Sequence, residues 1–204
     1  MKVVIGLRPS LTDKYTLAAI RLIKDNDMSS MKFTAGARFP DIQLPTLAGE
    51  SIALGTPAQG SDWRLVIIYR GKHCPLCTRY LNEVEKLAAD FLKLGIDIVA
   101  ASADSLEQAQ FHKTNLTANF PIAYNLTIEN MQQLGLYISH PRSEKETDHP
   151  FAEPGLFVIN DKGLVQVLDI SNGPFARPEL ATLLSGLSFI RDPENNYPIR
   201  GTYS

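Results

Sequence analysis

Residues 64–81 carry the feature that most limits what this chain can fold into. A five-residue apolar run, Leu65–Tyr69, leads to a polar turn with Arg70, Lys72 and His73, then to Cys74-Pro75-Leu76-Cys77 and an amphipathic pattern. Branched and aromatic residues bounded by Arg64 and Arg70 read as a buried strand. Pro75 suits the first turn of a helix, where its missing N–H costs nothing. The stretch predicts strand, tight turn and helix, with Cys74 at the helix N-terminus.

A thiol in that place is a candidate nucleophile. A helix N-terminus carries free N–H groups and about half a positive charge. Arg70, Lys72 and His73 precede the cysteine and add cationic potential. Both effects lower a thiol pKa from about 8.5 toward neutrality. Cys77 comes round to the same face one turn later, so a disulfide can form with little backbone movement. The spacing predicts Cys74 as the exposed attacking thiol and Cys77 as the more buried resolving thiol. Arg70 is the candidate for electrostatic activation, with Lys72 and His73 behind it.

Two other readings apply to the same pair. Structural zinc wants four ligands, but the chain has two cysteines, and His73, His112, His140 and His149 are not paired at ligand spacing. No metal and no bound cofactor are expected. Inert core thiols would fit the usual burial of free cysteine, but not the strand-to-helix setting with its cationic flank.

With 204 residues, 44% of them hydrophobic, the chain can bury a full core in one domain. A net charge of -2 implies no polyanion and no membrane surface as partner, so neither nucleic acid nor membrane binding is expected. No apolar run approaches the ~18 residues of a membrane span. Val3–Leu7 after Lys2 is too short for a secretory signal and lacks a small-residue cleavage site. The cytoplasm is the expected compartment, where a C-x-x-C pair cycles rather than staying oxidised.

Along the chain, residues 1–34 read as an N-terminal extension. Ser10 with Asp13 resembles a capping box, and Leu11, Tyr15, Ala18 and Leu22 predict a helix over 10–24. The domain spans 35–190. Ala48-Gly49-Glu50 turns between Ile42–Leu44 and Ser51–Leu54, a hairpin of short strands. Trp63, the only tryptophan, leads into the organising strand. After Cys74 a helix shows Leu76, Tyr80, Leu81, Val84, Leu87, Ala88, Phe91 and Leu92 on one broad stripe and stops at Gly95. Ile96–Ala101 is a second buried strand, and Asp104 with Glu107 reads as a capping box opening the next helix. Phe120–Tyr124 suits a short strand and Ile128–Leu134 a short helix. Residues 139–154 form a long polar loop whose charges read mostly as solvated surface. Leu156–Asn160 and Leu164–Leu168 flank the turn Asp161-Lys162-Gly163, a second hairpin. A last helix runs from Pro178 to Phe189, and 191–204 is a tail. The order predicts an α/β domain with a mixed central β-sheet flanked by helices.

This layout, with Cys-Pro-Leu-Cys at the strand-to-helix turn, resembles the thioredoxin-like superfamily. Within it the chain is similar to the peroxiredoxin-like proteins of the alkyl hydroperoxide reductase and thiol-specific antioxidant group. The matching stretches are Phe39–Pro45, Ile68–Cys77, Ala101–Asp104 and Gly155–Asn160. The resemblance implies a thioredoxin-like fold, a peroxide or disulfide substrate, and thioredoxin, glutaredoxin or glutathione as reductant. A homodimer is implied as well. Typical members place a proline and a threonine seven and three residues before the reactive cysteine, which here are Ile67 and Gly71, and an arginine just before the late strand, which here is Pro154. Pro154 resembles the proline that faces the dithiol in thioredoxins, where the preceding bond is cis. Tyr69, Gly71, His73 and Pro154 are the candidates for lining the substrate site.

Three functions follow as expectations. The first is a thiol-dependent antioxidant oxidoreductase in which Cys74 attacks a peroxide and Cys77 resolves the sulfenic acid. The second is a protein disulfide oxidoreductase, and the third a non-catalytic redox-sensing or binding module.

Overall fold

A computed structural model of the chain describes residues 33–203. The helix expected over 10–24 lies outside the described residues. In chain order the elements are β1 (Gln43–Pro45), β2 (Ser51–Ala53), β3 (Trp63–Ile68), α1 (Pro75–Lys93), β4 (Ile96–Ala101) and α2 (Leu106–Lys113). β5 (Ile122–Ala123), α3 (Ile128–Gln133), β6 (Ile138–Ser139), β7 (Phe151–Ala152), β8 (Gly155–Ile159), β9 (Val165–Ile170) and α4 (Leu180–Arg191) follow. A short 3-10 turn, Pro193–Asn195, opens the tail.

The central sheet runs β5-β4-β3-β8-β9. β3 is parallel to β4, and β4 to β5, whereas β8 is antiparallel to both β3 and β9. β3 and β4 are buried along their whole length, as continuous apolar strands covered on both faces should be. Side chains alternate across β3. Leu65, Ile67 and the following Tyr69 join Cys77, Leu81, Val84 and Phe91 of α1 and Leu180 and Leu187 of α4. Val66 and Ile68 join Met131 of α3, Leu44 of the hairpin, and Phe39 and Phe157 on the other face. Each such side chain removed from water contributes about 1.5–3 kcal/mol. The strand feeding the cysteine turn is therefore the middle strand of the sheet, anchored on both faces.

Four expectations are adjusted. The buried stripe of α1 is narrower than its apolar pattern, because Leu76 and Leu92 lie beside the inward row Cys77, Leu81, Val84, Phe91 and are exposed. β5 shrinks to two residues because Tyr124 donates its N–H to the Pro45 carbonyl of the hairpin instead of extending the sheet. The α2 cap falls one residue later than expected. Ser105, not Asp104, accepts from the Gln108 N–H at 3.3 Å, while Gln108 accepts from the Ser105 N–H at 2.9 Å. Residues 139–154 are not wholly loop, since β6 pairs with β7, Ile138 opposite Ala152.

Arg64, read from sequence as the edge of the strand, lies inside it and is 1% exposed. The β3–β4 register sets it opposite Asp97. Its Nε reaches the two Asp97 oxygens at 3.0 and 3.1 Å, Nη2 also donates to Asp97, and Nη1 donates to the Ala53 carbonyl at 2.9 Å. The Ala58 N–H adds a bond to Asp97 at 3.0 Å. The pair thus ties the hairpin and the loop after it to the sheet. Removing one member of a buried pair leaves the other uncompensated, which costs about 3–5 kcal/mol. Arg64→Met is expected to lose that much stability in urea unfolding, with Trp63 fluorescence as the probe.

Candidate active site

Cys74 is the N-cap of α1. Pro75 opens the helix, and the Cys77 N–H donates to Cys74 Sγ at 3.2 Å. The Cys74 carbonyl accepts the N–H groups of Cys77 and Thr78 at 3.0 and 3.1 Å. One helical turn separates the two cysteines, their Cα atoms are 5.2 Å apart, and the sulfurs form a disulfide. The arrangement that the spacing predicts is thus present. The exposure is not: Cys74 is 2% exposed and Cys77 0%, because both pack into the apolar cluster under α1.

The cations expected around Cys74 take three different courses. Arg70 faces Glu146 at 3.4 Å and Glu153 at 3.5 Å, and its guanidinium lies 4.6 Å over the Phe151 ring. Lys72 is exposed, with Nζ 5.7 Å over Phe111. His73 lies tilted against Phe151 with the ring centroids 4.6 Å apart, and burial, followed by the Arg70 charge, pushes its pKa below the usual imidazole value. His73 is therefore a neutral ring at pH 7. What remains at the Cys74 sulfur is the helix N-terminus itself.

A buried carboxylate shapes the turn. Asp104, wholly buried, accepts from the Lys72 N–H at 2.9 Å and from Ser102 Oγ at 3.0 Å. Gly71 has φ +125°, and a Cβ there would stand 2.5 Å from Asp104 Oδ1. The position where typical members carry threonine is thus filled by the carboxylate of another element. Tyr69, which follows β3, is fully buried with its ring 5.5 Å from His112, and burial raises its pKa. His112 Nε2 lies 2.9 Å from Thr78 Oγ1, which donates to the Cys74 carbonyl at 3.3 Å.

Segment 139–154 closes over this turn. Glu146 accepts from the Arg142 N–H at 2.7 Å, and that bond together with the Arg142 guanidinium holds its carboxyl below the usual range. Ser139 donates to Glu153 at 2.7 Å. His149 Nδ1 faces the Pro150 carbonyl at 2.9 Å, and Nε2 faces Gln108 Oε1 at 3.1 Å and Asp104 Oδ1 at 3.7 Å. With acceptors at both nitrogens the ring favours the doubly protonated form, and its pKa is raised, chiefly by Asp104. A cleft of about 650 Å³ opens beside the segment, lined by Lys72, His73, Phe111, Arg142, Lys145 and Glu146.

The bond before Pro154 is trans, which corrects the cis geometry implied by the thioredoxin likeness. The Pro154 carbonyl accepts the Ser171 N–H at 3.1 Å, so the chain enters β8 extended and prolongs the β8–β9 ladder. Pro154 borders a small cavity with Tyr80, Asp169, Arg177 and Pro178. Arg177 is the residue that sequence reading missed: its Nη2 donates to Cys77 Sγ at 3.0 Å. It stands 100 residues away in a Gly- and Pro-containing segment, and nothing local marks it. Glu146, His149 and Asp104 were visible only as loop charges or as a cap. Among the described residues no cluster of three or more His, Cys, Asp or Glu side chains suits a metal ion.

Comparison with known proteins agrees with this geometry. The chain is 30% identical over 139 residues to a peroxiredoxin of Hyperthermus butylicus, a match covering 65% of this chain and 56% of that one. The chain spans 50–61% of the length of the curated relatives it matches. Its fold superposes on peroxiredoxin 6 of Arenicola marina with a TM-score of 0.65 at 19% identity, over 79% of this chain and 75% of that one. A peroxiredoxin-like protein from Aquifex aeolicus gives 0.63 at 16% identity, over 78% and 89% of the two chains. The family's sequence model matches residues 35–168, about two thirds of the chain, and the chain therefore belongs to the AhpC/TSA family.

Proposed function

We propose that this chain is a thiol-dependent peroxidase that cycles the Cys74–Cys77 dithiol. The observation that carries the reading is the disulfide between a helix-capping cysteine and the residue one turn on, in a family of peroxide-reducing relatives. The Cys74 thiolate attacks one peroxide oxygen, the O–O bond breaks, and the alkoxide leaves with a proton as alcohol or water. Cys74 becomes a sulfenic acid. The Cys77 sulfur then attacks it, forming the disulfide and releasing water. Two reducing equivalents from thioredoxin, glutaredoxin or glutathione restore both thiols. The helix N-terminus and the Cys77 N–H act on Cys74 as the charge on sulfur changes. The cytoplasm, where thiol reductants keep such pairs cycling, is the compartment that suits it, and a homodimer is the assembly that we propose. No helix among the described residues is long and apolar enough to cross a membrane.

A second reading, protein disulfide oxidoreductase, is favoured by one specific feature. Ile67, Gly71 and Pro154 stand where typical members hold the peroxide with proline, threonine and arginine. The two are separated by feeding reduced protein with hydrogen peroxide, with thioredoxin and its reductase as the electron source. The expected result is peroxide consumption abolished by Cys74→Ser. In Cys77→Ser the first turnover is kept and recycling is lost. Reduction of insulin disulfides through Cys74 without peroxide turnover would instead establish the oxidoreductase. Turnover of neither substrate would leave the sensing or binding module.

Restoring the missing threonine is not expected to improve the enzyme. Gly71→Thr would place a side chain at a strained φ and drive it into Asp104. Strain and a displaced buried carboxylate together cost about 2 kcal/mol or more. Thermal unfolding of Gly71→Thr should show that loss, with peroxide turnover no higher than in the parent.

A further inference from the structure

Arg177 places a guanidinium on the resolving sulfur of the pair, Cys77 Sγ. It lies in the segment between β9 and α4, beyond the residues that the family match covers. Tyr80, three residues after Cys77 on α1, supplies its seat. The guanidinium lies 4.9 Å over the Tyr80 ring, and the Tyr80 hydroxyl donates to the carbonyl of Pro178, the residue next to Arg177. Residues three apart on a helix share a face, so one stretch of α1 presents both the thiol and the platform for its cation. Arg177 Nη1 is buried with no hydrogen-bond partner among the described residues. Among the described residues no carboxylate is within ion-pair distance of Arg177, although Asp169 lines the same cavity and Glu153 and Arg70 act on it from farther off, whereas Arg70 pairs with two. Reduction of the disulfide delivers to Cys77 Sγ the negative charge that this cation lacks, and an arginine stays protonated even when burial disfavours it.

We propose that Arg177 is a further catalytic residue that holds Cys77 as a thiolate in the reduced protein. In the closing step the Cys77 thiolate attacks the Cys74 sulfenic sulfur. The S–S bond forms, the S–O bond breaks, and hydroxide leaves and takes up a proton as water. In the opening step a reductant thiolate attacks Cys74 Sγ, and the S–S electron pair passes to Cys77 Sγ, where Arg177 meets it. A second reductant thiol then releases Cys74 from the mixed disulfide, leaving the reductant oxidised. A leaving thiolate of low pKa departs faster, so the same contact directs incoming thiols to Cys74. The closing step rests on the peroxidase reading; the ionisation of Cys77 and the opening step do not.

The test is the ultraviolet thiolate titration of Cys77 as the sole thiol, in Cys74→Ser protein, without peroxide. The expected pKa lies below the free-thiol value of about 8.5, the guanidinium outweighing the burial that would raise it. Adding Arg177→Met is expected to raise it by about one unit, a tenfold fall in thiolate at neutral pH. Arg177→Lys should recover most of that fall, and Arg177→Gln should behave as Met does if the Met variant does not fold. With both cysteines present, single-turnover kinetics should show Arg177→Met slowing disulfide closure more than sulfenic acid formation. An unshifted Cys77 pKa in Arg177→Met or Arg177→Gln, or a lysine variant no better than methionine, overturns the proposal whatever the protein does with peroxide. Loss of peroxide turnover with the titration as expected overturns the peroxidase reading alone.

Discussion

The turn ahead of Cys74 is held by a carboxylate with no access to water. Asp104 ends β4's excursion out of the sheet, and its oxygens meet the Lys72 N–H and the Ser102 hydroxyl. Burying a carboxylate is affordable only where hydrogen bonds and counter-charges replace water. Here the backbone of the cysteine turn supplies one bond, and His149, from the far end of the chain's polar segment, places beside it an imidazole whose protonated form Asp104 favours. Asp104 thereby joins three pieces that the chain separates widely: the turn, the start of α2, and segment 139–154. Gly71 has to be glycine for the same reason, since its missing side chain is the space that Asp104 occupies.

Charge around the dithiol is distributed differently from its distribution along the sequence. Arg70, four residues before Cys74, is drawn off by Glu146 and Glu153, and His73 is neutral against Phe151. Arg177, 100 residues from Cys77, makes the direct contact with sulfur. Sequence proximity is a poor guide because a guanidinium on a long side chain settles where carboxylates and aromatic rings are arranged to receive it. In this fold those partners around Arg70 come from β7 and its flanks, and they compete with the sulfur for the cation.

What could be read from the sequence was what local chemistry decides. β3, the helix opened by Pro75, the stop at Gly95 and the two hairpins follow from residue type and period, and the family likeness follows from their order. Misplaced features share a different cause. Arg64 looked like a strand end because the partner that makes its burial possible, Asp97, belongs to another strand. Asp104 looked like a cap because its spacing to Glu107 fits one, while the Lys72 N–H that it accepts lies 32 residues upstream and His149 comes from far downstream. Cys74 looked exposed because the packing above it comes from elements far along the chain. The burial of Arg64, Asp104 and Cys74 thus rests on long-range pairings that no local pattern encodes, whereas the true cap of α2, Ser105 with Gln108, is a local one.

The disulfide closes a loop of only four residues, all in one turn of a helix that the sheet already fixes. Cross-linking so short a loop removes little freedom from the unfolded chain, about 2 kcal/mol on the chain-entropy relation. That is no more than the burial of one large apolar side chain in the cluster that surrounds the two sulfurs. The stability of the domain therefore resides in its core and not in its cross-link. The pair can open and close through many cycles while the scaffold that positions it stays folded.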